Sequence, residues 1–316
     1  MKVTRSRAPV RIDFAGAWTD CAPFANPFGG ATLNAAINRY VTGELRSGEG
    51  VLNGRPRVTV PGQGEAELHA PAGLSVSYQT DIPAGSGLGA SATLNVVWLS
   101  LAKNEPIRTR EDRESIAAAA YDIEKILGII GGKQDQYASA IGGINVFEFT
   151  ETEVRTKQVG ISDESTRVLR SLLVLCYTGQ ARLSSNIHRS VWGNFQAGKR
   201  ETVDALFTLR DSAYEGKEIL ETGDFDRFGP LLTRQFECMK HLDRSTTNET
   251  VESVFSIAAG YIAGGKPCGA GGGGCILLCC QSPAEKPALE RALRQGGVAV
   301  IDFDFDFEGL VLKIEE

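Results

Sequence analysis

The chain has 316 residues, 42% of them apolar and 23% charged, which is material for two domains of roughly 100–200 residues with buried cores. Its formal net charge of −6 and pI near 5.4 offer no basic footprint for nucleic acid or an anionic membrane surface. No stretch approaches the ~18 consecutive apolar residues of a membrane span.

In chain order, residues 7–14 and 38–46 alternate as strands do, and the Gly-, Pro- and Asn-rich stretch between them reads as a shaped loop. Glu65 to Thr80 again reads as strands. At Asp81 the pattern breaks into DIPAGSGLGASA ahead of the apolar run TLNVVWLSLAK, giving strand, glycine loop, helix. A second helix is predicted from Thr109 to Leu127, because Thr109 and Asp112 have capping-box spacing and AAAAYDIEKIL supplies strong helix formers. Strand character returns over 143–158, and SLLVLCY (171–177) reads as a buried strand. The domain boundary is placed near 155, giving domains 1–155 and 156–316. Helices are expected from about 183 to 263, divided at Gly198, Gly223 and Gly229-Pro230. A second glycine loop, KPCGAGGGGC, then leads into the strand ILLCC, a helix over 284–295 and the strand VAVIDFDFDF, which predicts an α+β second domain.

Seven cysteines, an odd number without paired C-x-x-C spacing, read as buried free thiols. The N-terminal MKVTRSRAPVRIDF has no apolar stretch followed by a small-residue cleavage site. A reducing, cytoplasmic setting is the expectation.

Three stretches carry candidate chemistry. In PAGSGLGASA (Pro83 to Ala92) the glycines allow close backbone approach just where a helix N-terminus adds its positive dipole, which makes a phosphate cradle. The Gly-Lys-Ser/Thr ending of a Walker loop is missing, and a structural turn reads the same residues equally well. Five glycines among Gly269 to Gly274 suit a backbone packed against a ligand or another loop. Glu124 and Asp135 flank the break at Gly131-Gly132, although a helical glutamate is ordinarily a solvated charge. In IDFDFDFE, alternation favours a half-buried strand with a solvated acidic face over a metal site.

Together, APVRIDFAGAWTD (Ala8 to Asp20), PAGSGLGASA and KPCGAGGGGC (Lys266 to Cys275), in that order and with GGKQDQYAS between the last two, resemble the motifs of the GHMP kinases. The resemblance implies an α+β, two-domain GHMP kinase fold, with a ribosomal-protein-S5-like N-terminal domain that binds ATP and a ferredoxin-like C-terminal domain. It implies ATP held by Pro83, Gly85, Ser86, Gly87, Leu88, Gly89, Ala90 and Ser91, and Mg²⁺ held by Ser91 and Glu124, whose hard oxygens suit that ion. Asp135 matches the catalytic aspartate, as proton acceptor or as orienter of the acceptor hydroxyl, and Arg11 the basic residue beside the transferring phosphoryl group. Asp20 matches the sugar-binding aspartate, with Trp18, Gly271 and Gly272 as further substrate-binding residues. Trp18 stacks on a sugar face or fills core volume.

Galactokinases carry Glu-His where this chain has Ala17-Trp18, so galactose does not fit the pattern. RIDFAGAWTD, GGATLNAAI (Gly29 to Ile37) and TGQARLSSNI (Thr178 to Ile187) resemble instead the heptose-phosphate kinase and fucokinase branch, which phosphorylates the anomeric C1 hydroxyl. The expected partner is therefore a small-molecule sugar or sugar phosphate: D-glycero-D-manno-heptose 7-phosphate first, L-fucose as the alternative. Arg182, His188 and Arg189 are candidate cations for a substrate's far phosphate, and surface charges on a helix are the plainer reading. A silent sensing protein on the same fold would be expected to lack Asp135, Ser91 or Glu124, and all three are present.

Overall fold

The computed structural model describes residues 2–47, 57–60, 64–67, 74–180 and 185–315. The first half builds one large sheet. Strand β1 (Lys2–Ala15) leads through helix α1 (Ala22–Phe28) to β2 (Gly30–Ser47), its antiparallel partner. β3 (Arg57–Val60), β4 (Gly64–Glu67) and β5 (Leu74–Thr80) extend the sheet, with β3 parallel to β5. Helices α2 (Ala90–Lys103), α3 (Arg110–Ile126) and α4 (Gln134–Ile141) follow, then β6 (Ile144–Phe149) on β2 and β7 (Val154–Gln158) on β6. Thr109 and Asp112 do form a capping box at the start of α3.

The second half runs α5 (Asp163–Leu172), β8 (Leu173–Tyr177), α6 (Ser185–Gln196), α7 (Arg200–Thr222), α8 (Phe228–Leu242), α9 (Glu249–Ala258), β9 (Ile262–Pro267), β10 (Cys275–Cys280), α10 (Lys286–Gln295), β11 (Ala299–Ile301) and β12 (Val311–Glu315). Its four-stranded antiparallel sheet has the order β11-β8-β10-β9. That is a βαββαβ arrangement, the ferredoxin-like motif. The fold class is α+β, as the sequence implied.

Several expectations change. The stretch between 14 and 38 is not one loop, because α1 forms there and β2 starts at Gly30. Its prolines misled the reading: Pro23 opens the helix, where a missing N–H costs nothing, while Phe24 and Ala25 are buried. Gly229-Pro230 is not a break but the first turn of α8, where a proline is tolerated and Gly229 lets the helix press on Ala263. The helical region ends before 263, because Ile262 already opens β9.

The run 298–307 is a strand only over Ala299–Ile301. Beyond it the chain crosses to the first sheet, where Phe305 bridges Ile37 and Asp304 accepts the N–H of Asn38 at 2.9 Å. The expected apolar and acidic faces do not hold. Phe303 and Phe305 are buried but Phe307 is 55% exposed, and Asp306 is buried, accepting hydrogen bonds from Tyr40 Oη (2.9 Å) and the Gly309 N–H (2.8 Å).

β12 then pairs with β1, so the last strand completes the first sheet. The expected boundary at 155 falls inside β7. The two halves also share one core, in which Phe14 of β1 meets Phe228 of α8 edge to face at 5.2 Å. All seven cysteines are free and six are buried. Among the described residues no helix is long and apolar enough to cross a membrane.

Candidate active site

A cleft of 260 Å³ lies where β1, the α2 N-terminus, α4 and the glycine loop after β9 converge. On its floor, β1 supplies Arg11, whose guanidinium is buried and bonded through each of its three nitrogens. Nε and Nη2 donate to Asp135 Oδ1 at 2.8 and 2.6 Å, and Nη1 donates to the Gly87 carbonyl at 2.6 Å. Burial works against this cation, but the Asp135 and Asp13 carboxylates more than offset it and hold its pKa above the ordinary arginine value. Asp135 sits in the first turn of α4, where the helix dipole favours an anion.

The phosphate-loop reading has a physical basis here. Gly89 is the residue before α2, in a left-handed conformation, and neither a side-chain cap nor an acidic residue occupies the first turn. The helix therefore presents unsatisfied N–H groups at a cleft that Ala90, Ser91 and Ala92 line. The second glycine loop packs directly on this one. A Cβ on Gly87 would come within 2.7 Å of the Cys268 carbonyl, one on Gly269 within 2.8 Å of the Gly87 carbonyl, and Cys275 N–H donates to the Ser86 carbonyl at 2.7 Å. This close approach of two backbones is why both stretches are glycine-rich.

On the opposite wall, Asp20 is buried and accepts the Gln134 N–H at 3.0 Å. Burial pushes its pKa up to about 7; the Gln134 bond opposes the rise and the Asp135 charge adds to it. Glu124 is also buried at the cleft, with Oε1 accepting from Asn95 and Oε2 from Gln136, both at 2.8 Å. Its pKa likewise rises to about 7, chiefly through burial. Ser91 lies one helical turn before Asn95, on the face of α2 that Glu124 meets.

Most of the expected site residues therefore converge. Arg11, Trp18, Asp20, Gly85, Ser86, Gly87, Gly89, Ala90, Ser91, Glu124, Asp135 and Gly271 all line the cleft. Three expected residues do not. Pro83 lies outside it and has no N–H to offer. Leu88 turns its side chain into the core while its carbonyl accepts the Arg11 N–H at 3.1 Å. Gly272 is committed elsewhere, its N–H to the Thr246 carbonyl and its own carbonyl to Asn248.

Trp18 is 3% exposed and packs with Trp192 of α6 and with His188, whose ring centroid is 4.5 Å away, so it fills core volume as well as bounding the cleft. Of the candidate cations, His188 lines the cleft, Arg189 is exposed outside it, and Arg182 lies outside the described residues. Gln134, Gln136 and Asn95 escaped the sequence reading. Their only signal was position: two flank Asp135, and the third follows Ser91 by four residues.

Two family models match the chain: the GHMP kinases N terminal domain over residues 62–143 and the GHMP kinases C terminal domain over 217–299. The chain belongs to the GHMP kinases. Like the family, it is a phosphotransferase, and its relatives place it in the sugar-kinase branch. A D-glycero-alpha-D-manno-heptose 7-phosphate kinase from Campylobacter jejuni is 29% identical over 98% of both chains. A bifunctional fucokinase/GDP-fucose pyrophosphorylase from Arabidopsis thaliana is 25% identical over 92% of this chain and 31% of that one. The crystal structure of a D-glycero-D-manno-heptose 1-phosphate kinase from Bacteriodes thetaiotaomicron superposes with a TM-score of 0.76 at 25% identity, covering 98% of each chain.

Proposed function

We propose that this GHMP kinase transfers the γ-phosphoryl group of magnesium ATP to the anomeric C1 hydroxyl of D-glycero-D-manno-heptose 7-phosphate, in the cytoplasm. The observation that carries the proposal is the Arg11–Asp135 pair, set between Asp20 and the uncapped N-terminus of α2. The helix end and the glycine loop bind the nucleotide phosphates. Asp20 accepts hydrogen bonds from sugar hydroxyls. Asp135 orients the acceptor hydroxyl and takes its proton, and Arg11 stabilises charge developing on the transferred group.

The donor set fits magnesium. Ser91 is exposed, and each Glu124 oxygen, already fixed by one amide, keeps a lone pair for a cation. Bound there, Mg²⁺ would neutralise phosphate charge and hold Glu124 ionised. No group of three or more acidic, His or Cys ligands forms a metal cluster among the described residues; Ser91 and Glu124 would hold a magnesium ion together with nucleotide oxygens and waters.

The heptose phosphate is preferred because a relative with that activity matches 98% of the chain and because His188 lines the cleft near Trp18. L-Fucose or a related sugar is the second reading, favoured by the fucokinase relatives. ADP release measured against a panel of free sugars and sugar phosphates separates them. Turnover confined to the heptose phosphate supports the first reading, and turnover with fucose moves the chain to the second.

A further inference from the structure

Asp13 and Lys266 are both completely buried and stand 253 residues apart in sequence. Lys266 Nζ bonds to Asp13 Oδ2 and also donates to the Asp13 main-chain carbonyl at 2.9 Å. The other carboxylate oxygen, Oδ1, accepts the Gly269 N–H at 2.8 Å and lies 3.6 Å from Nη1 of Arg11. One carboxylate thus joins β1, β9, the second glycine loop and the Arg11 guanidinium.

Stability does not explain this arrangement. Taking two full charges out of water is costly, and apolar side chains of similar volume generally hold a fold as well or better. A carboxylate at this position does two things that an apolar residue cannot. It fixes Gly269, whose backbone packs on Gly87 of the phosphate loop, and it places a second negative charge beside Arg11. Left unneutralised, that charge would compete with Asp135 for the guanidinium. Lys266 supplies the neutralisation.

We infer that Asp13 and Lys266 are positioning residues for phosphoryl transfer. Asp13 locks the second glycine loop onto the phosphate loop and sets Arg11, while Lys266 cancels the Asp13 charge so that Arg11 stays directed at Asp135 and the transferring group. The inference rests on the role given to Arg11 under the proposed function.

The test compares the single variants Asp13→Asn and Lys266→Met with the pairs Asp13→Leu/Lys266→Met and Asp13→Asn/Lys266→Met, by thermal unfolding and steady-state kinetics. Each single variant removes one partner of the buried Asp13–Lys266 ion pair and should lower Tm. The apolar pair removes both charges and should regain most of that Tm, yet lose about tenfold or more in kcat with sugar KM within about twofold. The Asn/Met pair keeps an acceptor for the Gly269 N–H and should recover part of the lost kcat. Should the singles fail to fold, the two pairs carry the comparison alone. An apolar pair with wild-type kcat would overturn the inference while leaving the kinase reading intact; wild-type protein that phosphorylates no sugar would overturn both.

Discussion

Both hydrogen bonds from Arg11 to Asp135 end on the same carboxylate oxygen, Oδ1, at 2.8 and 2.6 Å. Oδ2 accepts no hydrogen bond among the described residues, and the Asp135 side chain is 27% exposed at the cleft. One oxygen is thus held by the cation and the other is left for a substrate hydroxyl. Replacing Asp135 with Ala should lower kcat by about 10²–10⁴-fold, the usual contribution of a positioned base, with ATP binding by calorimetry retained. Arg11→Lys should also be poorly active, because an ammonium cannot span Asp135 and the Gly87 carbonyl as the planar fork does. The two losses should be less than additive, since each variant breaks the same contact.

Gly132 is paired with Cys21 in an isolated antiparallel bridge, and a Cβ at Gly132 would lie 1.8 Å from Asp20 Oδ2. Gly132→Ala must therefore push the Asp20 carboxylate out of place. The expected result is a raised sugar KM with the affinity for ATP unchanged. A wild-type sugar KM in this variant would separate Asp20 from acceptor binding.

Glu124 gives the site a pH signature. Burial, with the nearby Asp135 charge adding to it, raises its pKa to about 7, so the folded protein keeps this proton over a range where the unfolded chain has lost it. The stabilisation is fully present below the ordinary glutamate value and is lost as the pH rises through about 7. Asp20, also raised to about 7, has the same sign. Magnesium binds the charged form, so magnesium nucleotide should raise Tm more at a pH of about 8 than at about 6. Glu124→Gln should abolish most of that difference, as unfolding scans at the two pH values will register.

Trp18 is a non-glycine residue with φ of 79°, wedged against His188 and Trp192. Trp18→Ala should cost about 3–5 kcal/mol in denaturant unfolding, the usual range for emptying a buried aromatic site. Trp18→Phe should keep much of that stability. Loss of activity in a stable Phe variant would assign the indole a part in acceptor binding beyond packing.

The motifs were legible because their chemistry is local. Glycines that must bring two backbones together, the step from glycine loop to helix and a capping box are written in consecutive residues, and each was found where the sequence placed it. What was not legible was long-range. Nothing near residue 311 announces that β12 pairs with β1, since that partner lies some three hundred residues away. The alternation of IDFDFDFE was real, but the chain leaves one sheet for another midway, so Phe307 and Asp306 exchange the surroundings that a single strand would give them. The burial of Lys266 was equally hidden, because only the fold brings Asp13 to it. α1 was missed for a local reason, since proline marks a turn and a helix start alike until the burial of Phe24 separates them.

The most direct test of the account is phosphorus NMR of the product formed from magnesium ATP and D-glycero-D-manno-heptose 7-phosphate, run in parallel with the wild-type protein and the Asp135→Ala variant. The account predicts a new phosphomonoester signal coupled to the anomeric proton, formed with ADP by the wild-type protein and nearly absent with the variant. Equal product from the two proteins, or inorganic phosphate in place of a sugar phosphate, would contradict it.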